Sequence, residues 1–248
     1  MTGQTISLKR RKESYLRAAG IHLNESVQFP VFKVKDPISA LTHFIGFLLS
    51  VVGMPILLIN AARHGAGIKA LVSYAVFMFS MILLYGASSA YHAFHISESA
   101  DKKLKKMDHM MIFVLIAGSY TPVCMNVLRG GVGMKLLLLI WGIALAGILF
   151  KAFWVTCPKW VSSVIYISMG WVALLAIGNI YQVLQGGGFA WLLAGGIIYT
   201  IGGVIYALKL PILSKYFKGF GAHELFHLFV MGGSFCHYMM MLLYVTKV

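Results

Sequence analysis

The stretch Gly221-Ala222-His223-Glu224-Leu225-Phe226-His227 opens the last apolar segment of the chain. Histidines four residues apart lie on one face of a helix, one turn above each other. At that spacing two imidazoles can share one metal ion, and a catalytic zinc site needs three protein ligands and an open position. The stretch therefore predicts a helix that carries two ligands of a metal site whose other ligands come from elsewhere in the chain.

The composition places this helix in a membrane. Of the 248 residues, 59% are hydrophobic and 11% charged, and the mean hydropathy is +0.82. These values are typical of integral membrane proteins. The net charge of +14 comes from lysines and arginines in short connectors, and no basic module is large enough to indicate nucleic-acid binding. The three scattered cysteines favour neither a disulfide framework nor a cysteine-based zinc site.

Seven apolar runs, each close to the length needed to cross a bilayer, predict an all-α bundle of seven transmembrane helices. We expect the spans at residues 36–60, 69–94, 108–128, 134–154, 161–184, 189–208 and 223–245. The first begins at Asp36-Pro37, an acidic N-cap followed by proline at the first helical position. Residues 36–248 thus form one membrane domain of a multi-pass plasma-membrane protein. Residues 1–35 form a basic tail without the apolar core of a cleavable signal.

Lysine and arginine set the orientation of the bundle. Sixteen of the 21 lie in the tail and in the connectors that share its side of the membrane, and five lie on the opposite side. Because positive charge accumulates on the cytoplasmic side, the N-terminus is predicted to be cytoplasmic and the C-terminus outside.

This topology brings four ionisable side chains to one depth near the cytoplasmic face: His92, Asp108, His223 and His227. Ionisable groups within a membrane are costly, so they usually have partners and a function. The three histidines supply three nitrogens for Zn²⁺, and Asp108 can orient or deprotonate a water in the fourth position. Ser88 lies one helical turn from His92 on the same face, where its hydroxyl can bond that water or an oxyanion.

Each of these residues also has a simpler interpretation. Asp108 alone can be the N-cap of the third span, and Ser88 can bond the carbonyl four residues earlier. His43, His95 and His109 are interpreted as packing or headgroup residues, with His43 the next candidate for third ligand. His237, near mid-membrane, is interpreted as a buried hydrogen-bonding histidine.

The His223-Glu224-x-x-His227 spacing also matches the signature of zinc metalloproteases, in which the glutamate is the general base. That match is weak, because no aspartate or glutamate follows it and Gly233 stands where a third histidine would be needed. We expect Glu224 to face lipid headgroups.

Three motifs, taken together, resemble those of bacterial hemolysin III proteins, which are grouped with the progestin and adipoQ receptors. They are Ser88-Ser89-Ala90-Tyr91-His92, Asp108-His109-Met110-Met111-Ile112-Phe113 and His223-Glu224-Leu225-Phe226-His227. The resemblance implies a seven-helix bundle with a cytoplasmic N-terminus and zinc held by His92, His223 and His227. It also implies that Asp108 and Ser88 lie close to the metal-bound water. Receptor relatives carry an uncharged residue at the position of Glu224.

The wider superfamily implied by this resemblance includes ceramidases. The first functional hypothesis is therefore a zinc-dependent hydrolase of a lipid amide or ester, with Asp108 and Ser88 as catalytic residues. A haemolytic or pore-forming protein is an alternative, although the fourth and sixth spans have almost none of the polar stripes that a pore needs. A membrane sensor with a structural zinc is the other alternative.

Overall fold

The computed structural model describes residue 15 and residues 34–128, 130–212 and 220–248. The predicted basic tail falls almost wholly outside these residues, and its role stays a prediction. The described residues form helices and connectors without a β-strand. The helices are α1 Pro37–Arg63, α2 Ile68–Ala93, α3 Glu98–Pro122, α4 Gly131–Phe153, α5 Lys159–Gly170, α6 Ile177–Val183, α7 Gly187–Leu208 and α8 Ala222–Leu243.

Seven helical segments are long and apolar enough to cross a membrane, since α5 and α6 together make one span. Their most apolar windows have mean hydropathies between 1.6 and 2.3. Large apolar side chains point away from the bundle, among them Leu138, which is 68% exposed, and Leu175, which is 74% exposed. Such a surface is unfavourable in water and suits contact with lipid. The predicted seven-helix membrane fold is confirmed, while its orientation across the membrane stays a prediction.

The third span begins ten residues earlier than predicted. Helix α3 starts at Glu98, where the Ser97 side chain accepts a hydrogen bond from the Ala100 N–H at 3.2 Å. The prediction followed the apolar run, but the lysine-rich segment before it consists of good helix formers and joins the same helix. Asp108 therefore lies inside α3, and the interpretation of Asp108 as an N-cap was wrong.

The fifth span is interrupted near its middle by the 3₁₀ segment Trp171–Ala176. The Tyr120 hydroxyl of α3 donates to the Gly170 carbonyl at 2.5 Å and accepts from the Ala173 N–H at 2.8 Å. Backbone groups freed by a helix break need partners within the membrane. Tyr120 supplies partners for two of them, so the break can lie within the membrane-spanning part of the bundle.

Small residues allow close helix approach in the sixth span. A Cβ atom at Gly195 would collide with the His237 ring, and one at Gly202 with Phe229. A Cβ atom at Gly196 would meet no neighbour. Pro55 lies inside α1, which continues to Arg63.

The first and last helices meet in the bundle, because α1 packs against both α2 and α8. The Asp36 N–H donates to the His92 carbonyl at 2.8 Å, which ties the start of α1 to the end of α2. The heads of α1 and α8 therefore lie beside the end of α2. This arrangement positions the site.

Candidate metal centre

Three histidines converge where α2 ends and α8 begins. His92 lies in the last turn of α2, and His223 and His227 lie in the first two turns of α8. One ring nitrogen of each lies within 4.8 Å of the others. His92 and His227 are buried, and His223 is partly buried. These three side chains can together hold a metal ion, as their spacing indicated.

The hydrogen bond of His92 directs its second nitrogen into the cluster. Nδ1 of His92 lies 3.0 Å from Oδ2 of Asp36, and a carboxylate only accepts. The proton of the neutral ring is therefore on Nδ1, and the lone pair of Nε2 is free. That Nε2 lies 3.1 Å from Nε2 of His223. Tetrahedral zinc bonds of about 2.0–2.1 Å place two nitrogens about 3.3–3.4 Å apart, so the pair fits a shared ion.

His227 is oriented in the same way by α1. Thr42 donates its hydroxyl proton to the Ser39 carbonyl at 3.0 Å, so its oxygen can accept from Nδ1 of His227, 3.5 Å away. Outer partners of this kind fix the tautomer of a metal-binding histidine. Nδ1 of His223, by contrast, is buried without a hydrogen-bond partner in the described part of the chain.

Asp108 and Ser88 lie beside this cluster, as predicted. Asp108 is 6% exposed, and its Oδ2 is 3.4 Å from Nδ1 of His109. Ser88 is fully buried. Its hydroxyl lies close to the Asp108 carboxylate but makes no hydrogen bond of good geometry. The Ser88 hydroxyl is therefore not committed to the carbonyl four residues earlier, which was its simpler interpretation.

Two adjoining cavities border these residues. The smaller, of about 20 Å³, is lined by Asp108, His223 and His227, and a site of that size holds about one water. The larger, of about 140 Å³, lies mainly between apolar side chains of α3, α5, α7 and α8. The two share five lining residues, which are Leu84, Ile112, Tyr166, Phe226 and Val230. The water-sized cavity thus borders an apolar one.

Comparison with known proteins shows the family of the chain. A protein-family model described as Haemolysin-III related matches residues 32–238. The chain belongs to the haemolysin III-related family. It is 41% identical to Hemolysin-3 of Bacillus cereus over 214 residues, covering 86% of this chain and 93% of that protein. It is 38% identical to the Hemolysin-3 homolog of Bacillus subtilis (strain 168) over 220 residues, covering 88% and 98%.

A more distant similarity reaches the receptor branch. The adiponectin receptor protein of Drosophila melanogaster is 23% identical over 215 residues, covering 79% of this chain and 48% of that protein. All three motifs quoted above lie within the matched residues 32–238. Together with its seven apolar helices, the match makes this haemolysin III-related chain a multi-pass membrane protein.

Two residues near the cluster of this haemolysin III-related protein make contacts that the sequence did not indicate, although His43 is a packing residue as predicted. Glu224 does not simply face headgroups, since it accepts from the Gly221 N–H at 2.8 Å and from the Ser39 hydroxyl at 2.9 Å. It caps its own helix and joins α8 to α1. His43 is 3% exposed and stacks on His227 with ring centroids 3.6 Å apart. It lines the water-sized cavity, where neither ring nitrogen has a well-formed hydrogen bond among the described residues.

The other histidines match their predictions in part. His95, away from the cluster, bonds Asp101 at 2.7 Å. His109 lines the water-sized cavity beside Asp108. His237 is buried as expected, but its Nε2 has no hydrogen-bond partner in the described chain, and it lines the apolar cavity.

Sequence reasoning missed two further features of the haemolysin III-related site. Asp36 was predicted to cap α1, but its side chain makes no cap bond and holds His92 instead. A signal existed, because Asp36, Ser39 and His43 share one helical face. Lys151 is fully buried, and its Nζ donates to the Ser162 hydroxyl at 2.5 Å. Ser162 lines the water-sized cavity.

Proposed function

We propose that this protein is a zinc-dependent hydrolase that cleaves the amide or ester bond of an acylated membrane lipid. One observation carries the proposal: two histidines of the three-histidine cluster, His223 and His227, line a water-sized cavity together with the buried carboxylate of Asp108, and that cavity adjoins an apolar one. Hydrolysis of a lipid needs these two spaces side by side, one for the water and the other for an acyl chain.

The ligand set fits zinc by the chemistry of its donors. His92, His223 and His227 would hold the ion, and three neutral imidazoles leave one position open, as in catalytic zinc sites. Bound zinc supplies a Lewis acid, which polarises a carbonyl and lets water act as a nucleophile near neutral pH. Asp36 and Thr42 keep two of the histidines oriented for this purpose.

Asp108 is the proposed general base. It lines the cavity and is almost fully buried, whereas Asp36 is bonded to the outer nitrogen of His92 and Glu224 is held by two hydrogen bonds of its own. In this role it accepts a proton from the attacking water and returns it to the leaving amine or alcohol, which balances the reaction. The Ser88 hydroxyl is free to donate a hydrogen bond to an oxygen that gains negative charge.

The test measures fatty acid released by the purified protein from ceramides, phospholipids and acyl amides. Asp108→Asn keeps the shape of the side chain but cannot accept a proton, and we expect the rate to fall by about 10²- to 10⁴-fold with zinc retained. Asp101→Asn is the matched control, because this acid of α3 pairs with His95 away from the cavities. Its rate should equal that of the wild type.

Two other outcomes would favour the alternatives. Zinc present without release of fatty acid above a zinc-stripped control would favour a sensor whose zinc is structural. Leakage of dye from liposomes that is unchanged in Asp108→Asn, again without release of fatty acid, would favour a pore. Equal rates of hydrolysis by the wild type and by Asp108→Asn would support the proposed hydrolase activity but would exclude Asp108 as its general base.

A further inference from the structure

A second groove lies at the end of the bundle opposite the histidine cluster. Helix α1 has 27 residues and carries His43 near its start and Arg63 at its end, a separation of about 30 Å at 1.5 Å per residue. The groove runs between this distal end of α1 and the end of the chain after α8, and its volume is about 520 Å³. That lies in the range of small-molecule sites.

The α1 wall of the groove is one helical face. Ile56, Ile59, Asn60 and Arg63 line it at helical spacings of three and four, and the two isoleucines are 50% and 53% exposed. Leu242 and Leu243 form the facing wall, and Lys247 stands above them near the chain end. The groove is therefore apolar toward the membrane interior and cationic at its rim.

Polar contacts hold the two walls in register. Nδ2 of Asn60 donates to the Leu242 carbonyl at 2.8 Å and to Oγ1 of Thr246 at 3.3 Å. The Tyr74 hydroxyl donates to the Val245 carbonyl at 3.0 Å, which fixes the turn that carries Lys247. The groove is thus preformed, and binding of a ligand does not require free energy to order its walls.

Neither cation at the rim pairs with a carboxylate among the residues that the structure describes. Every ion pair among the described residues joins a histidine to an aspartate at the other end of the bundle. The acidic side chains of the described residues, Asp36, Glu98, Asp101, Asp108 and Glu224, all lie at that other end. A bound anion would supply at Arg63 and Lys247 the charge complementarity that no acidic side chain of the described residues provides there.

We propose that this groove binds one anionic phospholipid of the surrounding bilayer. Its phosphate lies between Arg63 and Lys247, and an acyl chain lies along Ile56, Ile59 and Leu243. A soluble anion would leave the apolar walls without a partner, and a zwitterionic lipid brings a cation of its own to the rim. The site is independent of the proposed hydrolysis.

The test titrates the purified full-length protein in micelles with phosphatidylglycerol or phosphatidylcholine of the same chains and counts bound lipid by native mass spectrometry. We expect one phosphatidylglycerol to bind in preference to phosphatidylcholine. Near-surface lysine and arginine contribute about 1 kcal/mol each toward anionic lipid, so Arg63→Gln with Lys247→Gln should weaken this binding about thirty-fold. Lys69→Gln with Lys135→Gln removes two cations that do not line the groove and should leave it unchanged.

A steric variant tests whether binding requires the shape of the groove as well as its charge. Ile59→Trp fills the apolar wall without altering charge and should also reduce binding of phosphatidylglycerol. Equal binding of both lipids, or an equal loss in the control pair, would overturn the proposal. So would displacement of the lipid by inorganic phosphate, which would indicate a soluble anion, or a dimer that forms only when the groove is intact, which would indicate a second copy as occupant.

Discussion

Asp36→Ala should weaken zinc binding although Asp36 is not a proposed ligand. Its carboxylate accepts the hydrogen bond that leaves Nε2 of His92 facing the other histidines. Removing such an outer partner typically costs 10- to 100-fold in metal affinity. The Asp36 side chain is 45% exposed, and solvent screens its charge. We therefore expect a loss of zinc affinity at the low end of that range, about ten-fold or 1.4 kcal/mol.

The structure separates this effect from damage to the fold. The Asp36 side chain makes no capping bond to α1, and the bond from its N–H to the His92 carbonyl survives the substitution. The remaining contribution to the helix is the interaction of its charge with the helix dipole, about 0.3–1 kcal/mol. Asp36→Asn keeps an acceptor for Nδ1 and should lose less affinity than Asp36→Ala.

Zinc affinity is measured by competition with a fluorescent chelator on purified protein, with the melting temperature followed in the metal-free state. Asp101→Asn is again the control, since it removes a carboxylate that bonds a histidine outside the cluster. Wild-type zinc affinity in Asp36→Ala would refute the reasoning. A loss of affinity matched by an equal loss of stability in the metal-free protein would refute it as well.

Three further predictions concern the ligands, the packing and the topology. Substitution of any proposed ligand by alanine should abolish stoichiometric zinc in elemental analysis; these ligands are His92, His223 and His227. The same substitution at His64 or at His237, the two controls, should leave zinc bound. Full occupancy in the His92 variant would point to His43 as third ligand. The Gly147→Ala variant should melt at a lower temperature than the Gly142→Ala variant of the same helix, by a difference equivalent to about 1–3 kcal/mol. The reason is that a Cβ at Gly147 meets the buried Phe113 ring, whereas a Cβ at Gly142 meets open space. Equal melting temperatures would show that the ring moves aside freely. Reporter fusions should place the N-terminus in the cytoplasm and the C-terminus outside, and both ends on one side would contradict the charge asymmetry.

The sequence predicted the seven spans well because apolar runs of membrane length have few alternative structures. The prediction was less accurate where a helix extends beyond its apolar run, as α3 does to Glu98. Hydropathy indicates which residues lie in the membrane, but it does not indicate where the helix begins. The break at Trp171–Ala176 gave no local warning. It depends on Tyr120, about fifty residues earlier, which supplies the hydrogen bonds that the break requires.

The candidate site also has features that could be predicted from the sequence and features that could not. The convergence of His92, His223 and His227 followed from helical spacing and topology, two properties that a sequence displays directly. The positions of His43 and Glu224 followed from neither, because both depend on how closely α1 packs against α8. Ser39 bonds Glu224 across 185 positions of sequence, and no local pattern records such a contact.

The distance along the chain between the histidines sets an order of events during synthesis. Nε2 of His92 meets Nε2 of His223, which is translated 131 residues later. At 5–20 residues per second that interval is about 7 to 26 s. Throughout it, His92 and Asp36 have been translated while two of the three proposed ligands do not yet exist. A nascent chain stopped before α8 can offer only one of the three imidazoles, so metal binding at the proposed site would report that the final helix has been made.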